Sequence, residues 1–285
     1  VISTIIRFVF ETIASILSPI LDAIALVLQL FFAIPILGRL LDWIWNVILS
    51  VVWLVAGLVD TIGGLLGIRP EKRLFLVVIN QRDERGNLIA SSADLLASIA
   101  LAIKVYRDDA NIRVLPFKLF DYTTPAAGDQ QASEDYITTL SFNGTAETLD
   151  VNCGASDFAA DLGFAGSQFQ NIMALSAFWT GWRQVTGYGA PIFAFAVRSF
   201  AGTYDGCSTG PLGNLVLVEF TGAATDTPPG GQPNTASILP HEMGHACYLW
   251  HVSPSNLMQP NNPRNTNLDW WQIAIIRSSR HVTYF

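Results

Sequence analysis

Three of the chain's four histidines lie within eleven residues, in the stretch HEMGHACYLWH from His241 to His251. His241 and His245 stand at i and i+4, so on a helix they share one face, a turn apart, and can address one cation. Glu242 directly follows the first and can stand beside a water held by that cation as its general base. A catalytic zinc takes three protein ligands and keeps a fourth position for water, which makes His251 the candidate third ligand. Ten residues is too far along a straight helix. The helix must therefore end near Tyr248 and the chain must turn back. The stretch HVSPSNLMQP (251–260) supplies a turn rich in Pro, Ser and Asn, with Met258 inside it.

The spacing HExxHxxxxxH, followed closely by a methionine in a turn, resembles the metzincin clan of zinc peptidases, in the versions seen in matrixins and archaemetzincins. The resemblance is specific over residues 241–260 and extends in order of elements over roughly 74–285. It implies Zn2+ held by His241, His245 and His251. It implies Glu242 as the general base that takes a proton from the attacking water and passes it to the leaving amine. Met258 would sit beneath the metal as a structural residue. A peptide substrate would lie extended along an edge strand of the sheet, with GNLVLVEF (213–220) and APIFAFAVRSF (190–200) as the candidates. Two positions depart from the pattern. Tyr248 stands where the family has a turn glycine, a position that needs φ > 0 and is costly for a bulky residue. Pro260 stands where some members carry a tyrosine that assists catalysis.

A helix must carry the first two ligands, and a sheet must place that helix. LFLVVIN (74–80) reads as a buried strand, and SSADLLASIALAIKVYRDD (91–109) as a serine-capped helix. NIRVLPFKLF (111–120) reads as a strand in which Pro116 favours an edge or a bulge. GSQFQNIMALSAFWTGWRQV (166–185) has helical character, and 190–200 and 213–220 read as strands. The Gly/Pro-rich loop 222–234 precedes the histidine helix (234–250), and a last helix covers 268–280 with Asn267 as its cap. This order predicts an α/β (α+β) domain with a mixed, twisted sheet and an active-site helix. Trp270 and Trp271 read as core beneath the site. Phe178, Trp179 and Trp182 also read as core, and His281 as a packing or surface histidine. Asn143-Gly144-Thr145 matches a glycosylation acceptor, a common chance match.

Composition bounds the rest. The 285 residues are 51% hydrophobic and only 14% charged, with a formal net charge of −7. The absence of any Lys/Arg-rich run argues against a nucleic-acid partner. The apolar excess is concentrated in residues 1–68, where the charges are Arg7, Glu11, Asp22, Arg39, Asp42 and Asp60. Two long helices, 12–38 and 43–59, broken at Pro35 and Gly38, form an all-α hydrophobic hairpin ahead of a second domain at 69–285. Each helix keeps one polar stripe, with Arg39, Asp42, Asn46, Ser50, Gly57 and Asp60 on the second. Such a hairpin associates with a lipid membrane or drives self-association into a homo-oligomer. The basic run Arg69, Lys72, Arg73 favours a cytoplasmic second domain. A possible Cys153–Cys207 bridge and the peptidase resemblance favour an extracytoplasmic one. Two functions therefore compete: a membrane-associated zinc endopeptidase, and a structural, oligomer-forming membrane protein whose peptidase-like domain binds zinc but is catalytically weak.

Overall fold

The computed structural model describes residues 37–117, 132–143, 149–151, 182–200, 205–208, 213–225, 235–252 and 255–285, with isolated positions at 20, 23, 24, 27, 28 and 169. Its centre is strand β1 (Lys72–Arg82), buried over its first ten residues. A strand covered on both faces reads as an unbroken apolar run, as 74–79 does. β1 pairs in parallel with β2 (Ile112–Pro116) along 72–76 and with β3 (Ile137–Asn143) along 78–82. It also pairs in parallel with β5 (Ile192–Ala196) along 76–79, while β9 (Val282–Thr283) runs antiparallel beside Arg73 and Leu74. Beyond β5 come β8 (Leu215–Val218), parallel, and β7 (Gly206–Ser208), antiparallel. A short separate ribbon joins β4 (Asp150–Val151) to β6 (Ser199–Phe200). The chain is thus mixed α/β with a mixed seven-stranded sheet.

Neither candidate edge strand is an edge. β8 lies between β5 and β7, and β5 between β1 and β8, so the terminal strand on that side is β7. The run LVLV in β8 is apolar at every position because both faces are covered, a pattern of interior strands. Pro116 ends β2, which pairs with β1 alone among the described residues.

Alternate side chains feed two cores. Leu74, Leu76, Val78, Ile192, Ala194 and Val216 face α3 (Ser92–Ala110), α5 (Ile238–Ala246) and α6 (Trp270–Ser278). Phe75, Val77, Ile79, Phe193, Phe195 and Leu217 form the other cluster with Phe169 and Phe200. The Ser91 hydroxyl caps α3 by accepting from the Asp94 amide at 3.1 Å. The cap of α6 is Asp269, not Asn267, and Gln272 reaches back to the Asp269 N–H at 2.8 Å. Trp270 is exposed rather than core.

The apolar N-terminal region is described over its second helix, which is bent. α1 (Leu37–Ala56) and α2 (Leu58–Leu65) meet at Gly57, at 48° to each other. No single described helix is long and apolar enough to cross a membrane; the pair meets that test only jointly. From Asn46 on, the polar stripe faces the rest of the chain. Trp45 and Trp53 donate from their indole nitrogens to the carbonyls of Val185 and Thr186 in α4 (Trp182–Thr186). Arg280 donates to Asn46 Oδ1 at 2.9 Å. Asp60 accepts from Lys72 Nζ at 2.8 Å and from the Tyr284 hydroxyl at 2.6 Å. A Cβ on Gly64 would fall 2.9 Å from the Cα of Ala274, so glycine is what lets α2 seat on α6. Twelve large apolar side chains between Ile44 and Ile68 remain exposed on the other side. Most of the helix expected at 12–38 lies outside the described residues, as does most of that at 166–185, including Phe178 and Trp179.

Candidate metal centre

α5 carries His241, Glu242 and His245, and is shorter than the expected 234–250: a 3-10 turn at Thr235–Ser237 leads into it, and it ends at Ala246. The C-terminal turn is a Schellman motif. The Tyr248 amide donates to the His245 carbonyl and the Leu249 amide to the Gly244 carbonyl, both at 3.0 Å. In that motif the residue after the cap is left-handed and usually glycine. Here it is Tyr248, at φ 74, so the chain makes the expected turn with a residue poorly suited to it.

The turn brings His251 back. The Nε2 of His245 lies 3.1 Å from the Nε2 of His241 and 3.1 Å from that of His251. The three ligand atoms all lie within 4.8 Å of one another. Tetrahedral zinc with Zn–N bonds of 2.0–2.1 Å sets neighbouring nitrogens about 3.4 Å apart, so the spacing fits. The protonation pattern fits as well. His241 Nδ1 lies 2.8 Å from the Leu257 carbonyl, and His245 Nδ1 2.8 Å from the Leu249 carbonyl. A carbonyl only accepts, so each Nδ1 carries the proton and each Nε2 is bare in the neutral ring. Two bare nitrogens at 3.1 Å repel unless a cation lies between them. A proton is a poor candidate. Burial, with the Arg264 charge and the neighbouring histidines, lowers the pKa of His241 to about 2. Burial, against the Leu249 hydrogen bond, lowers that of His245 to about 4. His251 is lowered by burial and by Arg264. The three residues thus fit a metal ion.

Met258 lies beneath this helix, fully buried. A Cβ on Gly244 would fall 2.5 Å from its sulfur, which explains the glycine inside HEMGH. The Met258 amide donates to Asn256 Oδ1 at 2.9 Å, and Asn256 Nδ2 donates to Gln272 Oε1 at 2.8 Å. The Met258 carbonyl accepts from the Val252 amide at 3.0 Å, which ties the methionine turn to the residue after His251.

Glu242 is buried, and burial pushes its pKa up to about 8 against the pull of Arg264. Strand β7 crosses directly over it: a Cβ on Gly206 would lie 2.6 Å from Glu242 Oε1. The segment after Met258 forms the facing wall. Arg264 donates to the carbonyls of Gln259 at 2.9 Å and Pro260 at 3.1 Å, and to Asn262 Oδ1 at 3.1 Å. Asn262 Nδ2 in turn donates to Asp205 Oδ2 at 3.2 Å, beside the start of β7.

The three histidines of the motif therefore converge at one point; Glu242 is buried on the same helix, and Met258 packs against Gly244 of that helix. Gly206, Arg264, Asn256 and Gln272 were not foreseen. Only Gly206 left a trace in the sequence, as a glycine in a strand that marks close backbone approach. His281 is a buried packing histidine, its Nδ1 2.7 Å from the Ala190 carbonyl. Cys247 is free and buried. Cys207 is disulfide-bonded; Cys153, its expected partner, lies outside the described residues. No protein-family model and no characterised protein matches the chain.

Proposed function

We propose that the chain is a membrane-associated, zinc-dependent endopeptidase of metzincin type, with residues 69–285 as the peptidase domain. The observation that carries this is the convergence of three histidine Nε2 atoms, two of them left bare because a backbone carbonyl accepts from the ring's Nδ1–H, on a helix that also carries the buried Glu242. His241, His245 and His251 would hold Zn2+. When bound, zinc supplies a Lewis acid and brings water ionisation toward neutral pH.

The remaining chemistry belongs to the chain. Glu242 is the general base. Burial alone would keep it protonated at pH 7, and a dication on the adjacent histidines favours the carboxylate instead. Glu242 then accepts the water's proton and returns it to the departing amine. β7 is the terminal strand on that side of the sheet among the described residues, and Gly206 in it lies against Glu242. A peptide substrate lying extended alongside β7 would pass across the base.

The exposed apolar face of α1 and α2 supports membrane association. Its polar stripe is already bonded to the domain, so the pair lies along the protein and offers its apolar side to the interfacial layer of a bilayer. The Cys207 disulfide supports an oxidising, extracytoplasmic setting. The basic-run argument for the cytoplasm weakens, because Lys72 and Arg73 are buried in β1. The same apolar face favours a second reading, a self-associating scaffold that holds zinc but cleaves little.

The test is metal content and cleavage of a mixed peptide library by the full chain and by Glu242→Ala. One zinc per chain, with cleavage lost and zinc kept in the variant, is the expected result. Zinc without cleavage in the native chain would favour the scaffold; equal cleavage by both chains would exclude Glu242 as base.

A further inference from the structure

Two of the three ligands are oriented by a carbonyl on Nδ1. His251 has no such partner among the described contacts; its place is set by the path of the chain. That path is the turn through Tyr248, whose backbone is left-handed, a conformation that disfavours any residue with a Cβ. A side chain held from outside can sustain it. The Tyr248 phenol is buried close to Ser50 of α1 and to the backbone of Arg280, a packing contact, since neither its oxygen nor Ser50 Oγ has a hydrogen-bond partner among the described residues. The Arg280 guanidinium bonds Asn46 of α1 at 2.9 Å. Leu49 of α1 packs on Gly187, itself close to Arg280. Leu49, Ser50 and Arg280 are all buried. The residue that departs from glycine is therefore the one that the N-terminal helix covers.

We propose that α1 is a positioning element of the metal centre: it holds Tyr248 in left-handed geometry and thereby holds the turn that delivers His251. This rests on the reading of the three histidines as a metal site. It extends that reading to regulation, because α1 carries the apolar face on its other side. Linkage is reciprocal. Metal binding tightens α1 on the domain, and anything that draws α1 away weakens the metal.

The experiment measures Zn2+ affinity of the full chain by chelator competition, and the visible spectrum of the Co2+-substituted protein as a report on ligand geometry. Tyr248→Ala loses the phenol but keeps the Cβ; Tyr248→Gly loses both the contact and the need for it. The coupling predicts that Tyr248→Ala binds zinc ~10-fold or more weaker than Tyr248→Gly, within the range for residues that orient metal ligands. Equal affinities would overturn it, since a plain packing role penalises both. A second pair tests α1 itself. A Cβ at Gly57 would fall 2.4 Å from the Ser278 carbonyl oxygen, so Gly57→Val levers the helix pair off the domain. The expected result is zinc affinity lower by ~10- to 100-fold, a changed cobalt spectrum, and recovery on adding Tyr248→Gly. Unchanged affinity, or no recovery, would overturn the proposal. Should Gly57→Val not fold, Asn46→Ala with Leu49→Ala carries the same test, since these remove the bond to Arg280 and the packing on Gly187. If the native chain takes up neither zinc nor cobalt, the metal-site reading itself falls, and the coupling with it.

Discussion

Helix α5 and the α1–α2 pair both point polar residues into the protein, and for opposite reasons. In α5 the inward groups are His241 and Glu242, and the Nε2 of His241 is left facing that of His245. In α1–α2 the inward groups are Asn46 and Asp60, and each is matched by a protein partner. A buried polar set that is unmatched asks for a ligand; one that is matched holds two parts of a chain together. The remaining face follows the same division. The rest of α5 is buried in the core, whereas α1–α2 leaves its apolar side outside, with Val59 79% exposed.

The contrast breaks first at the metal. His245→Ala removes the nitrogen that stands 3.1 Å from both others. Losing one of three ligands should lower zinc affinity by ~10^3-fold, given the 10–16 kcal/mol apparent for four-ligand sites. Chelator competition measures it. A loss under tenfold would mean that the histidines do not act as a set.

Acid separates the two regions next. His241, His245 and His281 are held at about 2, 4 and 3, in each case chiefly by burial. They stay neutral in the folded, metal-free chain while the unfolded chain protonates near 6.5. Stability is therefore full above 6.5 and falls as pH drops below it, by about 1.4 kcal/mol per histidine between pH 7.5 and 5.5. Denaturant titration of the metal-free chain at the two pH values should give a difference near 4 kcal/mol. A flat profile would mean that the rings are charged in the fold, and with that the argument from two bare nitrogens would fail.

Legibility in the sequence followed distance along the chain. The three histidines, Glu242 and Met258 could be picked out because their geometry is local: i, i+4 on a helix, then a turn. The need for φ > 0 at Tyr248 was readable for the same reason. The edge strand was not. β7 has three residues, too few to show period two, and the apolar density of 213–220 drew attention to an interior strand. That density was itself the clue, since a strand with one open edge and a solvent-facing side would alternate. The polar stripe of the second hydrophobic helix was plain in its spacing of three, four and seven. Its partners were not, because Lys72, Tyr284 and Arg280 lie 12 to 234 residues away. Periodicity identifies a face and says nothing of what covers it.

The clasp is challenged by Asp60→Leu. Lys72 is 1% exposed and Asp60 23%. Burial lowers the Lys72 pKa to about 8, and Asp60 is the main influence holding it up. Removing one partner of a buried pair costs 3–5 kcal/mol, and the exposed side of Asp60 places this one at about 3. Chemical denaturation reads the cost, and Asp60→Asn, whose one carbonyl oxygen can still accept from Lys72 while its NH2 donates to the Tyr284 hydroxyl, should recover part of it. A loss below 1 kcal/mol would show that α2 is seated by apolar contact alone.

The smallest effect falls on α6, the element that both regions share. α2 packs on it through Gly64 and Ala274, and Gln272 on its first turn holds Asn256, which in turn holds the Met258 amide. Gln272→Leu leaves Asn256 Nδ2 and the Asp269 amide without this acceptor. Asp269 is exposed and turns to water, so the cost is that of one buried donor, about 1 kcal/mol at the low end. Because Asn256 reaches the histidines only through the methionine turn, zinc affinity should fall only a few-fold while the unfolding midpoint drops. If affinity instead falls as far as in Tyr248→Ala, the methionine turn places His251 as strongly as α1 does. The two regions would then meet at the third ligand from below as well as from outside.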